Sequence, residues 1–83
     1  MTLDVRDRIR QVLLQQARLP VPVERVSDDD DLYQAGMTSH ASVAVMLALE
    51  DAFDVEFPDR LLTRGTFQSV TAMAAALTEL SAN

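Results

Sequence analysis

Val5, Ile9, Val12 and Leu13 recur at helical spacing among charged neighbours, which predicts an amphipathic first helix over about residues 2–18. Pro20 and Pro22 end it, and residues 19–37 show no period. That loop is long for so small a chain, so it is either functional or pinned by its own side chains, with Val21, Val23, Val26, Leu32 and Tyr33 available to pin it. Helical spacing returns with Val43, Met46, Leu49 and Phe53, Leu47 lying beside them, and predicts a second helix over about 39–53 that stops at Asp54. Pro58-Asp59 opens a short third helix over about 59–64, and Gly65 terminates it. Phe67, Val70, Met73, Ala74, Leu77 and Leu80 form the stripe of a last helix over about 67–81, with Thr66 or Ser69 as its cap. No two-residue alternation extends beyond 54–57, so no strand is expected. The prediction is an all-α single domain over 1–83, a four-helix bundle with three main helices and a short third one. Val12, Val43, Leu49, Phe53, Val70 and Leu77 are expected in its core, with Met46 and Met73 as fillers.

Composition narrows the function classes. An 83-residue chain supports one modest core and no deep enzyme cleft. With no cysteine there is neither a disulfide framework nor a thiolate metal site. The apolar runs are far too short for a bilayer span and the N-terminus lacks the apolar block of a signal peptide, so a cytoplasmic protein is expected. Ten of the thirteen acidic residues fall within 19–59 against Arg25 alone, while both flanks are slightly basic. Such a field repels nucleic acid and anionic membrane and favours basic protein partners. The run Asp28–Asp31 imitates a calcium loop, but Tyr33 stands where an EF-hand requires glycine and no bidentate glutamate follows at the right place. A single histidine makes a zinc site improbable.

The candidate chemistry lies in Gly36-Met37-Thr38-Ser39-His40. Thr38 is a good N-cap, which puts Ser39 in the first turn of the second helix, where N–H groups lack intrahelical partners and the dipole is positive. A phosphate ester on Ser39 is stabilised there. Ordinary helix capping explains the same residues in isolation. A serine nucleophile needs a base, and His40, one residue on and about 100° around the helix, does not face the Ser39 hydroxyl. Glu50 and Asp51 read as a solvated carboxylate pair rather than an acid and its base.

The order of features resembles the acyl carrier protein family over nearly the whole chain. A first helix is followed by a Pro-containing acidic loop, Asp31-Leu32-Tyr33-Gln34-Ala35-Gly36, Ser39, Leu49-Glu50-Asp51-Ala52-Phe53-Asp54, and Glu56-Phe57-Pro58-Asp59. The resemblance implies an acyl-carrier-type bundle with no catalytic groups of its own. It implies that Ser39 receives 4′-phosphopantetheine from coenzyme A through a phosphopantetheinyl transferase, and that the arm's thiol carries an acyl thioester to a downstream acyl-using enzyme. A monomer, with no nucleic acid and no membrane partner, is expected.

Two departures from the family pattern stand out. Thr38 replaces an aspartate that in the family helps position the transferase's magnesium, and His40 replaces a leucine. Ala41 and Ala44 stand where carboxylates are common, leaving Glu50 and Asp51 as the acidic pair. Partner contacts are therefore expected at Thr38, His40, Ala44, Leu47, Glu50 and Asp51, with weak salt sensitivity. Leu19-Pro20-Val21-Pro22-Val23, Ala41-Ser42-Val43 and Phe57-Pro58-Asp59-Arg60-Leu61-Leu62 are similar to the small stand-alone aminoacyl carrier proteins. Those are charged by ligases resembling the catalytic domain of class II aminoacyl-tRNA synthetases. The alternatives are a carrier of fatty-acyl or polyketide-type groups, and an unmodified acidic interaction module of the same fold.

Overall fold

Each main helix starts at a side chain that accepts one of its orphan N–H groups. In the computed structural model, which describes residues 4–81, Asp4 accepts from the Arg6 N–H at 2.9 Å and opens α1 (Val5–Gln16). Residues 2 and 3 of the expected first helix lie outside the described residues. Asp31 accepts from the N–H groups of Tyr33 and Gln34 and opens α2 (Leu32–Ala35), a single turn inside the segment expected to be loop. Thr38 caps α3 (Ser39–Phe53), which ends at Asp54 in the left-handed conformation. Ser69 accepts from the Ala72 N–H at 3.0 Å and opens α4 (Val70–Ser81). The last helix thus begins three residues later than its apolar stripe suggests, and Thr66 is not its cap. Thr66 instead belongs to a 3₁₀ turn, Arg64–Phe67, capped by Thr63. Together with the turn Asp59–Leu61, it occupies the region of the short third helix.

Packing is organised around α1, which lies against both α3 and α4. Ile9 and Leu13 from α1, Val45 and Leu49 from α3, and Val70, Met73 and Leu77 from α4 are all but inaccessible to solvent. Phe57 and Phe67 close one end edge to face, with ring centroids 5.3 Å apart.

The segment between α1 and α3 is held by polar bonds as well as apolar ones. Arg10 donates to the carbonyls of Val23 and Val26, and pairs with Asp28. The Leu32 N–H donates to the Gln68 carbonyl at 2.7 Å, and the Thr71 N–H to the Asp28 carbonyl at 3.0 Å. These bonds fix where α2, and hence the start of α3, sits against the root of α4.

Expected core positions on α3 are corrected. Val43 is 52% exposed. Residues 43 to 49 are all apolar, so periodicity alone does not choose the buried stripe. The buried face, on the side packed against α1, is Ala41, Val45 and Leu49, with Met46, Ala48 and Phe53 only partly covered, and Val43 is turned outward. Replacing Val43 with Ser is accordingly expected to change stability by no more than about 0.5 kcal/mol in urea unfolding, as for other exposed sites. A loss of core size would return Val43 to the buried stripe.

Candidate functional site

Ser39 is the first residue of α3, and its direction is set by the turn that precedes it. Gly36 ends α2 at φ 119°, a left-handed conformation that side chains disfavour. Its N–H bonds the Tyr33 carbonyl, and the N–H of buried Met37 bonds the Leu32 carbonyl at 2.9 Å. The chain is thereby reversed and locked, and Thr38 emerges extended. The Thr38 hydroxyl accepts from the Ala41 N–H at 3.0 Å. The N–H groups of Ser39 and His40 have no acceptor among the described residues. Nor does the exposed Ser39 hydroxyl make a hydrogen bond there, whereas the Ser42 hydroxyl is occupied with the Ser39 carbonyl at 2.7 Å. A free hydroxyl and two free N–H groups at the positive end of a fifteen-residue helix make a good seat for a covalently attached phosphate.

Beside Ser39 runs an open groove of about 420 Å³ between α3 and the turn Arg64–Phe67. Its walls are mostly apolar. Val43, Met46, Leu62 and Phe67 supply them, with Tyr33, Ser42, Thr63 and Arg64 at the edges. Met46, expected to fill the core, lines this groove and is half-buried.

The expected contact residues fall into two groups. His40, Ala44, Leu47 and Asp51 recur at i, i+4, i+7 and i+11 and form one outward stripe of α3, on which Leu47 is 55% exposed. Exposed Thr38 stands at its head. Glu50 does not join the stripe. Its carboxylate accepts the Phe57 N–H at 2.8 Å and ties the chain after α3 back onto the helix. Asp51 is thus the free member of the acidic pair. Val43, Leu62 and Arg64 border the same region without having been expected from the sequence as contact residues. For Val43 and Leu47 the signal is their i, i+4 spacing; for Leu62 and Arg64 it exists only in three dimensions.

The acidic run is structural. Asp28 pairs with Arg6 and Arg10, Asp30 accepts the Ser27 N–H, and Asp31 caps α2 and accepts from the Gln68 amide. Among the described residues no cluster of side chains is arranged to hold a metal ion. His40 makes no hydrogen bond among the described residues, so nothing orients it as a base for Ser39.

Comparisons with known proteins place the chain among carrier proteins. A family model described as phosphopantetheine attachment site matches residues 7–77. An aminoacyl carrier protein of Agrobacterium fabrum is 51% identical over 65 residues, 78% of this chain and 78% of that protein. The fold is similar to a crystal structure of an engineered Bradyrhizobium japonicum glycine:carrier protein ligase complexed with a carrier protein from Agrobacterium tumefaciens and ATP. There the TM-score is 0.89 and the identity 43%, over 92% of this chain and 99% of the matched one. It is also similar to a crystal structure of the Bradyrhizobium japonicum ligase with glycylated carrier protein. That match has a TM-score of 0.71 and 34% identity, over 88% of this chain and 99% of the matched one.

Proposed function

Because this chain belongs to the phosphopantetheine-attachment family of carrier proteins, we propose that Ser39 is its attachment point and that the group it carries is an aminoacyl group. The observation that carries the assignment is the unengaged, exposed Ser39 hydroxyl at the first residue of α3. The neighbouring hydroxyls are engaged with the helix backbone: Thr38 accepts the Ala41 N–H and Ser42 donates to the Ser39 carbonyl.

The residues present fit the group. The N–H groups of Ser39 and His40 are free to receive phosphate oxygens, and no carboxylate lines the adjoining groove. The bound arm supplies a terminal thiol on which an acyl group is held as a thioester. The protein's own residues hold the arm's root, present it, and offer a docking face. That face is Thr38, His40, Ala44, Leu47 and Asp51, used in turn by the transferase, the loading ligase and a downstream acyl-using enzyme. With one free carboxylate on the stripe, contact is mainly apolar and depends little on salt.

The aminoacyl assignment rests on the 51% identical aminoacyl carrier protein and on the ligase-bound carriers of the same fold. Its test is to offer the phosphopantetheinylated protein, with ATP and glycine, to a glycine:carrier protein ligase. The expected product gains one glycyl residue that neutral hydroxylamine removes. Acceptance of fatty-acyl groups by a broad acyl ligase, with no amino acid taken from any aminoacyl ligase, contradicts it.

Thr38 leads to a second expectation. Its single hydroxyl is committed to the cap, so it presents no carboxylate to a transferase-bound magnesium. Asp caps a helix as well as Thr does, so Thr38→Asp leaves the urea midpoint essentially unchanged. The substitution is expected to raise the rate of loading by a broad-specificity transferase. Equal rates for the two proteins show that the enzyme makes no use of this position.

A further inference from the structure

Among the described residues, Arg64 is the only charged one lining the groove that Ser39 opens onto. Its guanidinium lies over the Tyr33 ring, 4.0 Å from the ring centroid. Among the described residues it makes no ion pair, while Arg6 and Arg10 share Asp28 and Arg60 pairs with Glu79. The Arg64 side-chain N–H groups make no hydrogen bond among the described residues, so the guanidinium is free to donate to phosphate oxygens, which its planar fork suits. In a chain of net charge −6, an unpaired cation fixed beside the attachment serine creates a local field opposite to that of its surroundings.

We propose that Arg64, held by Tyr33, is a binding residue for the phosphodiester of the arm on Ser39 and seats the root of the arm over the groove between α3 and the turn Arg64–Phe67. The inference rests on Ser39 being the attachment point. Two sets of donors bordering one groove are then available to the phosphate: the free N–H groups at the start of α3 and the guanidinium of Arg64. Tyr33 is a positioning residue, acting only through Arg64.

The test compares apo and holo protein by NMR, with the holo state verified by mass. The Arg64 side-chain Nε–H resonance is expected to shift on loading. Raising sodium chloride from about 0.15 M to about 1 M, which shortens the screening length from about 8 Å to about 3 Å, is expected to move it back toward its apo position. The phosphorus resonance of the arm is expected to respond to the same salt step in the wild type; Arg64→Gln removes that response, Arg64→Lys keeps part of it, and Tyr33→Leu weakens it. An Arg64 resonance identical in apo protein and mass-verified holo protein overturns the proposal while leaving Ser39 as the attachment point. Failure of the wild type to gain the arm at all overturns both.

Discussion

Replacing Ser39 with alanine is expected to abolish loading while leaving the fold untouched. The Ser39 side chain is exposed and its hydroxyl makes no hydrogen bond among the described residues, so its removal leaves nothing buried unsatisfied. The cap of α3 is Thr38, which stays in place. Stability should therefore change by no more than about 0.5 kcal/mol, as at other exposed positions without a structural role. The functional loss is complete because the neighbouring hydroxyls are engaged: that of Thr38 accepts the Ala41 N–H, and that of Ser42, on the next turn, is bonded to the Ser39 carbonyl. The check is paired: urea unfolding of the two proteins, and amino-acid incorporation by transferase and ligase together. Loss of loading with an equal loss of stability would mean that Ser39 holds the fold rather than the arm. Residual loading would move the attachment point elsewhere.

The second large effect is on stability and falls at Gly36. An alanine Cβ there would lie 2.5 Å from Pro20 Cδ and 2.8 Å from Cγ, closer than such atoms approach, at a backbone φ of 119°. The left-handed conformation costs an L-residue about 1–2 kcal/mol and the overlap about 1–3 kcal/mol more. Gly36→Ala is thus expected to lose roughly 2–5 kcal/mol, a large share of the roughly 5–15 kcal/mol typical of a folded domain. In thermal unfolding that corresponds to a fall of more than about 8 °C for a domain of this size. The two contributions separate in a double-mutant cycle. With Pro20→Ala the ring carbons are gone, so the overlap is relieved and only the backbone cost remains. An unchanged midpoint in Gly36→Ala would mean that the turn before Ser39 is not the tight left-handed one described. Because that turn delivers Thr38 to the start of α3, Gly36→Ala is also expected to slow loading beyond what its unfolded fraction explains.

The elements that aim Ser39 were legible in the sequence for local reasons. Gly36, Thr38 and the apolar run behind them are short-range signals, and each acts within one turn of where it stands. Proline at 20 and 22 and the first apolar stripe were equally local. What periodicity could not settle was which face of α3 is buried, because its middle is apolar on every side and the choice falls to the helices it meets. Val43 was placed inside on that ground and lies outside. Glu50 looked like half of a surface acidic pair, but its partner is the Phe57 N–H, seven residues on and beyond the helix end. The aspartates of 28–31 read as an acidic field, and only the fold gives Asp28 its two arginines from α1. Likewise the last helix begins at Val70 because Ser69 caps it, while Phe67 continues the stripe from a 3₁₀ turn. The groove beside Ser39 joins residues 33, 39–46 and 62–67, which no window along the chain brings together.

The most direct measurement is the intact mass of wild type and Ser39→Ala after incubation with coenzyme A, magnesium and a broad-specificity phosphopantetheinyl transferase, followed by fragmentation of any product. A gain of one phosphopantetheine on the wild type alone, localised to Ser39, is the predicted result. No gain on the wild type with a panel of such transferases, or an equal gain on Ser39→Ala, would contradict it and leave an acidic helical interaction module as the better description.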